Sequence, residues 1–336
     1  MVEIDTKDKK ILHNLLIDSR QSLTSIGKKV GISKELVLYR IKRLQEKKII
    51  INNTIFVDHQ KLGYSVFNFY YNFANVNPLI KNEIVDYFAN SEYTNYVGLT
   101  QGLYDLQVDF LVGDPIEFES FFDKTQVKYR KYFSNHTGSA PIRCDIYMYS
   151  FLLNDKLNIL EPVKLAWGEP PVIIDKLDYN ILKELSIDSR TSTKEIANKL
   201  KSTITTVNNR IKKLVKNKVI VSFTANVNWL KLGYQFFSIE IIFSDYSEKN
   251  KVINYLRKNP YLTYIIKPLG FNSDLECIFC LKNIEELRSI IEKFSNKFPS
   301  SIKSCNFFNT YAVYKQLNLP PKILKLPNFF QQIHQK

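Results

Sequence analysis

Between residues 8 and 16 the apolar side chains Ile11, Leu12, Leu15 and Leu16 recur at helical spacing, which predicts an amphipathic first helix. Gly31 then supplies a turn, and Ser33 is placed to cap a helix running to about Lys48, with Ile41 and Leu44 inward and Arg40, Lys42 and Arg43 on other faces. The pattern returns from residue 178, where Ser192 followed three positions later by Glu195 reads as a capping box opening a short helix to about Leu200. A short helix, a tight turn and a basic helix make the helix-turn-helix arrangement, in which the last helix enters a major groove. The β-rich runs 49–51 and 54–57 predict a two-stranded wing.

The next stretch has another rhythm. Residues 66–73 read as a strand, followed by a helix near 78–90, strands near 93–99 and at 106–112, a helix near 115–132 and a strand near 142–151. The order βαββαβ predicts a ferredoxin-like domain with its helices on one face of an antiparallel sheet, and it recurs between Gln235 and Tyr314.

The chain is an internal duplication. A shift of 170 residues brings Asp18-Ser19-Arg20 onto Asp188-Ser189-Arg190, Val37 onto Val207, Arg40-Ile41-Lys42 onto Arg210-Ile211-Lys212, and Lys61-Leu62-Gly63-Tyr64 onto Lys231-Leu232-Gly233-Tyr234. No gap is needed over 57 positions, a register that chance does not sustain. Farther on, Gly102-Leu103-Tyr104-Asp105-Leu106 matches the run from Gly270 to Leu275 with one inserted residue. The expected class is α+β, a tandem duplication of a winged helix-turn-helix plus a ferredoxin-like βαββαβ (RAM-like) domain. The expected boundaries are 1–64 and 65–153 for the first half, a linker at 154–172 holding Pro162, Pro170 and Pro171, then 173–234 and 235–316 for the second half and a tail at 317–336.

Charge follows that division. The 336 residues carry 47 Lys+Arg against 33 Asp+Glu, a formal charge of +14. Segments 1–64 and 172–234 hold +6 and +7 of it, residues 65–171 are net −5, and residues 235–336 are net +6. Cations concentrated on the duplicated helical segments point to a polyanion. No window approaches the ~18 uninterrupted apolar residues of a membrane helix, and the N-terminus lacks a signal-peptide apolar core, so a soluble cytoplasmic protein is expected, with no membrane partner. Cys277 and Cys280 form a Cys-x-x-Cys pair, but in an apolar strand residues three apart point to opposite faces, so both are expected in the core and no metal site is expected. His59 and His136 stand alone in expected loops, and no catalytic pattern stands out.

These features resemble the Lrp/AsnC (feast/famine) family of prokaryotic transcription regulators. The resemblance rests on Asp8-Lys9-Lys10-Ile11-Leu12, Asp18-Ser19-Arg20-Gln21-Ser22, the run from Gly31-Ile32-Ser33 through Val37 to Arg40-Ile41-Lys42-Arg43-Leu44, and Leu62-Gly63-Tyr64, and it spans each half nearly end to end. Members carry one such half per chain and dimerise through their sheets. The resemblance therefore implies a covalently joined pair, an intramolecular pseudo-dimer with scope for further homo-oligomerisation, that binds double-stranded DNA. It also implies that a small effector such as an amino acid binds near the loop Gly102, Leu103, Tyr104 and Asp105, at a subunit interface. Three positions depart from the family: its glycine before the wing is Lys48 and Lys218 here, and the counterpart of Gly31 is Lys201.

The candidate DNA-contacting residues are Ser33, Lys34, Leu38, Tyr39, Arg40, Lys42 and Arg43 in the first copy. In the second they are Thr203, Thr205, Thr206, Asn208, Asn209, Arg210, Lys212 and Lys213. Lys and Arg suit phosphates, Asn pairs bidentately with adenine, and Thr meets a thymine methyl. Arg40 and Arg210 are equally suited to binding a carboxylate within their own domain. No cofactor is expected and occupancy of DNA requires no catalysis. The alternatives are an architectural DNA-binding protein without sequence preference, or an enzyme like the siroheme decarboxylases. The latter share this layout and sometimes occur fused, but their substrate calls for His, Arg or Lys in the αβ cavity. The αβ domains and tail here offer only His136 and His334 as histidines.

Overall fold

The structure, a computed structural model, describes residues 2–147, 149–153, 161–166, 168 and 170–320. The first half runs α1 (Thr6–Ile17), α2 (Leu23–Val30), α3 (Lys34–Glu46), β1 (Ile50–Val57), β2 (Ser65–Phe73), α4 (Pro78–Ala89), β3 (Thr94–Gly102), β4 (Leu106–Val112), α5 (Pro115–Tyr129) and β5 (Phe133–Ile146). A short β6 (Val163–Ala166) leads to the second half: α6 (Lys176–Ile187), α7 (Thr193–Lys199), α8 (Ile204–Lys216), β7 (Ile220–Val227), β8 (Gln235–Phe243), α9 (Lys249–Leu256), β9 (Leu262–Leu269), β10 (Leu275–Leu281), α10 (Ile284–Lys297) and β11 (Ile302–Gln316). The chain is α+β, with a three-helix head and a βαββαβ unit in each half. Among the described residues no helix is long and apolar enough to cross a membrane.

The expected wing is replaced by a strand exchange. Residues 50–57 form one continuous strand, with no positive-φ residue at Asn52 or Asn53 to reverse the chain. β1 instead pairs antiparallel with β7, and at the centre of the ladder Thr54 lies opposite its own copy, Thr224. Each strand then packs on the other half's head. Ile55, Val57 and Leu62 enter the core of α6, α7 and α8, while Ala225, Trp229 and Leu232 enter the core of α1, α2 and α3. Thr54 Oγ1 donates to the Ser186 carbonyl at the end of α6, and Thr224 Oγ1 donates to the Leu16 carbonyl at the end of α1 (2.9 Å each). Ile55 and Val57 are completely buried, and burying such an aliphatic side chain is worth roughly 1.5–3 kcal/mol. Neither head completes its core without the opposite half.

The two βαββαβ sheets also merge. Each has the ferredoxin-like order, β5-β2-β4-β3 and β11-β8-β10-β9, and its long last strand continues onto the other sheet. β5 pairs with β2 through Ser139 and with β9 from Ala140, whereas β11 pairs with β8 through Thr310 and with β3 from Phe308. Eight strands thereby close into a ring, with β6 added along β5. The last strand of the first unit, expected near 142–151, starts at Phe133 instead, and residues 150–152 form a 3-10 turn. Polar residues 134–139 disguise its first part, and Pro141, which has no N–H to give a ladder, sits where β5 changes partner. Part of the expected linker is a strand as well: β6 pairs with residues 143–146, while 154–160 lie outside the described residues. Of the expected tail, 321–336, including His334, lies outside them too, and Leu319 is buried in the second head's core.

The outer face of the ring carries the apolar cores under the helices, Phe88 and Phe110 in one unit and Phe279 and Phe294 in the other. The inner face is unusual in burying acids. Glu240 and Glu276 face each other across β8 and β10, and each meets a tyrosine of the first half: Tyr104 Oη donates to Glu240 (3.4 Å) and Tyr70 Oη to Glu276 (3.1 Å). Tyr70 and Tyr104 stack at 4.8 Å, with Phe308 and Phe271 against them. Burial and then the neighbouring Glu276 push the Glu240 carboxyl up to about 8, and burial pushes Glu276 up to about 7 and Asp109 to about 6.

A raised carboxyl pKa stabilises the fold while the group is protonated, and that contribution is lost as pH rises through the folded-state value. The double variant E240Q/E276Q mimics the protonated pair. Its gain in melting temperature over the parent chain is expected to grow between about pH 5 and about pH 8, the window between the ordinary glutamate value and the raised ones. A gain that is the same at both ends of that window would contradict protonated glutamates at the sheet interface.

Candidate nucleic-acid interface

Both heads present their third helix in the same way. Ser22 and Ser192 cap α2 and α7, the latter through a reciprocal capping box with Glu195. The turn that follows needs a left-handed residue, which Gly31 supplies at φ 72° and Lys201 at φ 51°. Lys48 and Lys218, just past α3 and α8, also have positive φ, at 53° and 58°. These are the three departures from the family glycines, so the backbone there keeps the shape glycine favours, at about 1–2 kcal/mol per lysine. Ser33 Oγ accepts the Leu36 N–H and Thr203 Oγ1 accepts the Thr206 N–H, so both candidate residues act as helix caps; Thr203 also donates to Thr206 Oγ1.

Val37, Ile41 and Leu44 anchor α3 in its core, and Val207, Ile211 and Leu214 anchor α8. Periodicity then turns the other candidates outward. Lys34, Leu38, Tyr39 and Lys42 are exposed on α3, as are Thr205, Asn208, Asn209, Lys212 and Lys213 on α8, while Thr206 is half-buried. Tyr39 is 60% exposed and Leu38 40%, large apolar groups open to solvent on a helix that is otherwise well packed.

Three arginines behave otherwise. Arg40 reaches back to α1, donating to Asp5 (2.6 Å) and Asp8 (2.9 Å), and Arg43 donates to the second Asp8 oxygen (2.5 Å). Arg210 repeats this with Asp175 (2.7 Å) and Asp178 (3.0 Å). Asp8 and Asp178 are almost wholly buried, and the Asp178 backbone N–H together with Arg210 holds the Asp175 carboxyl below the usual carboxylate range. Of the two roles open to Arg40 and Arg210, the structure shows the carboxylate one. Among the described residues the exposed cations beside them, Lys42, Lys212 and Lys213, make no such bond.

The heads are tied together where the repeated Asp-Ser-Arg segments meet. Ser19 Oγ and Ser189 Oγ are 2.6 Å apart and buried, each the copy of the other. Arg20 donates to the carbonyls of Ser189 (2.7 Å) and Thr191 (3.2 Å), and Arg190 donates to those of Ser19 and Gln21. Ser19 N–H bonds the Phe223 carbonyl of β7, and Ser189 N–H the Asn53 carbonyl of β1. Sequence reasoning missed this clasp, although the duplicated run that forms it was the plainest part of the repeat.

The candidate effector loop lies between the halves but is occupied by the fold's own bonds. A Cβ on Gly102, at φ 116°, would come within 2.9 Å of the Phe307 carbonyl on β11. The Leu103 N–H points to that carbonyl, Tyr104 is buried against Tyr70 and Phe308, and Asp105 accepts the Phe73 N–H (2.8 Å). Asp274 does the same for Phe243 (2.9 Å), which identifies the carboxylate as a brace of the loop in both halves. Cys277 and Cys280 are buried in two different cores, as their spacing in a strand requires. His136 lies in β5 rather than a loop, near the Tyr71 and Phe122 rings, and burial lowers the His59 pKa to about 4.

An AsnC-type helix-turn-helix domain is matched twice, at residues 4–45 and 174–215. An HTH-type transcriptional regulator of Pyrococcus horikoshii is 32% identical over 140 residues, covering 42% of this chain and 90% of that protein. The HTH-type transcriptional regulator Ptr1 of Methanocaldococcus jannaschii is 30% identical over 115 residues, 34% of this chain and 77% of Ptr1. Relatives of this kind thus correspond to one half of the chain. Among solved structures, the siroheme decarboxylase NirDL superposes with a TM-score of 0.64 at 13% identity, covering 97% of this chain and 98% of that one. At that identity the likeness is one of fold.

The ion pairs separate structural from free cations. Arg40→Gln removes charged hydrogen bonds worth about 1–3 kcal/mol and is expected to lower the melting temperature by several degrees. Lys42→Gln, two residues along, is expected to leave it unchanged. Equal effects in thermal unfolding would contradict the assignment.

Proposed function

The chain belongs to the Lrp/AsnC family of helix-turn-helix proteins, with two family units in one polypeptide, and on that premise we propose that it is a sequence-specific DNA-binding transcription regulator acting by occupancy rather than catalysis. The observation that carries this reading is the pair of helices α3 and α8. Each is pinned by its arginine to the buried aspartate of its own head and turns lysines, amides and apolar groups outward. Ser33, Lys34, Leu38, Tyr39, Lys42, Thr203, Thr205, Thr206, Asn208, Asn209, Lys212 and Lys213 form the proposed DNA face. Arg40, Arg43 and Arg210 support it by fixing the helices. The names of the relatives agree with this reading, and the +6 and +7 of the two head segments supply the attraction to phosphate.

A tetrapyrrole decarboxylase is the competing reading, favoured by the end-to-end likeness of fold to NirDL. The chemistry of the ring interior argues against it. Glu240 and Glu276 are buried there with Asp109 half-buried, and acidic side chains bring no positive charge to pair with a substrate whose own substituents are carboxylates. Loop 102–105 is proposed as the place where a small effector would bias the pairing of the halves, since it touches β11 of the opposite half.

Phosphate contacts predict a steep salt response. The logarithm of the affinity for the chain's preferred duplex should fall with log[salt] at a slope of about −0.9 per phosphate neutralised. Binding measured by fluorescence anisotropy should also favour that duplex over random DNA of the same length. A flat salt response, or a shift of the Soret absorbance on adding uroporphyrin, would overturn the reading; equal affinity for random DNA would point to an architectural protein.

A further inference from the structure

The two heads share a scaffold and differ in what they present. α3 and α8 are both 13 residues long, are capped at equivalent positions, bury the same three positions and are anchored by the same arginine. Within this common frame the outward residues have diverged. Glu35, Leu38 and Tyr39 on α3 correspond to Thr205, Asn208 and Asn209 on α8, while Lys42 and Lys212 are alike. A two-fold homodimer reads a palindrome because its two readers are identical. Here the backbone keeps the two-fold relation and the reading side chains do not.

Resting on the DNA-binding reading above, we propose that the chain recognises an asymmetric duplex site, two unlike half-sites at one fixed spacing. The half-site under α8 is read by Asn208 and Asn209 as adenine, since a side-chain amide pairs with adenine N6 and N7 in the major groove, and Thr205 offers a methyl to thymine. The half-site under α3 meets no amide at those positions. Leu38 and Tyr39 suit thymine methyls, and the Glu35 carboxylate accepts from cytosine N4. The charge differs in the same sense: α8 holds four cations and no acid, whereas α3 sets Glu35 and Glu46 against its four cations. The spacing is fixed because the heads cannot move independently. The Ser19–Ser189 contact, the Arg20 and Arg190 bonds and the β1–β7 ladder all cross from one head to the other.

The test is in-vitro selection from random duplex DNA with the full-length chain, repeated with the N208A/N209A variant. The expected consensus is two different half-sites about one helical turn, ~10 bp, or a multiple of it apart. The variant should lose preference only at the adenine positions of one half-site, with roughly tenfold or greater weakening on the parent's site. Inserting half a turn of DNA between the half-sites should abolish binding by the parent chain. A palindromic consensus, or a variant that relaxes both half-sites equally, overturns the asymmetric site while leaving DNA-binding regulation intact. Enrichment of no sequence at all by the parent chain overturns both. Both substituted residues are exposed, and an unchanged melting temperature for the variant rules out unfolding as the cause.

Discussion

The rest of the structure depends on the antiparallel pairing of β1 with β7. That ladder pairs the backbones of two strands that join no other strand among the described residues, and it places Ile55, Val57 and Leu62 of one half under the other half's helices. Because each head completes its core with residues from across the centre, the halves fold as one interleaved body. A tight reverse turn at Asn52-Asn53 would have given each head its own wing and left the heads free to move apart.

From this pairing the remaining contacts follow in order. The ladder brings Thr54 against Thr224 and the ends of α1 and α6 beside it, so Ser19 meets Ser189 at the centre and Arg20 and Arg190 close over carbonyls of the opposite head. Further along the chain the same exchange recurs in the sheets, where β5 and β11 each begin on their own sheet and end on the other. The ring they close has apolar cores outside and a tyrosine-lined acidic interior inside. The exposed faces of α3 and α8 stay outside this interlocking, and there the two heads, alike in their buried positions, differ in chemistry.

Much of this was legible in the sequence, and the failures have a common cause. Helix positions, the caps at Ser33 and Ser192 and the inward pair Ile41 and Leu44 followed from periodicity because they are local. The duplication, the helix-turn-helix units and the strand order of both βαββαβ units were legible for the same reason. Pairing partners were not, since β1 and β7 carry no mark of whether they pair with a neighbour or with each other. The start of β5 was hidden because residues 134–139 look like a polar loop, and β6 because it lies among prolines. At the site, exposure of Lys42, Tyr39 and Asn209 came straight from the helical repeat. For Arg40 and Arg210 the sequence left DNA and a carboxylate of their own domain equally open, and the engagement of Arg43 with Asp8 was not legible, because these bonds depend on how the first helix of each head lies across the third. Asp105 was read as part of a binding loop, and its bond to the Phe73 N–H, which braces that loop, was not legible because it depends on how β2 lies beside it.

The central claim is that one chain holds two DNA-reading heads in a fixed pair, joined at Ser19 and Ser189. The most direct measurement is oxidation of the dilute S19C/S189C variant, followed by mass determination under denaturing conditions and DNA-binding assay. The account predicts a disulfide within a single chain, formed without loss of affinity for the selected duplex. Cross-links only between chains, or affinity lost once the bond within a chain has formed, would contradict it.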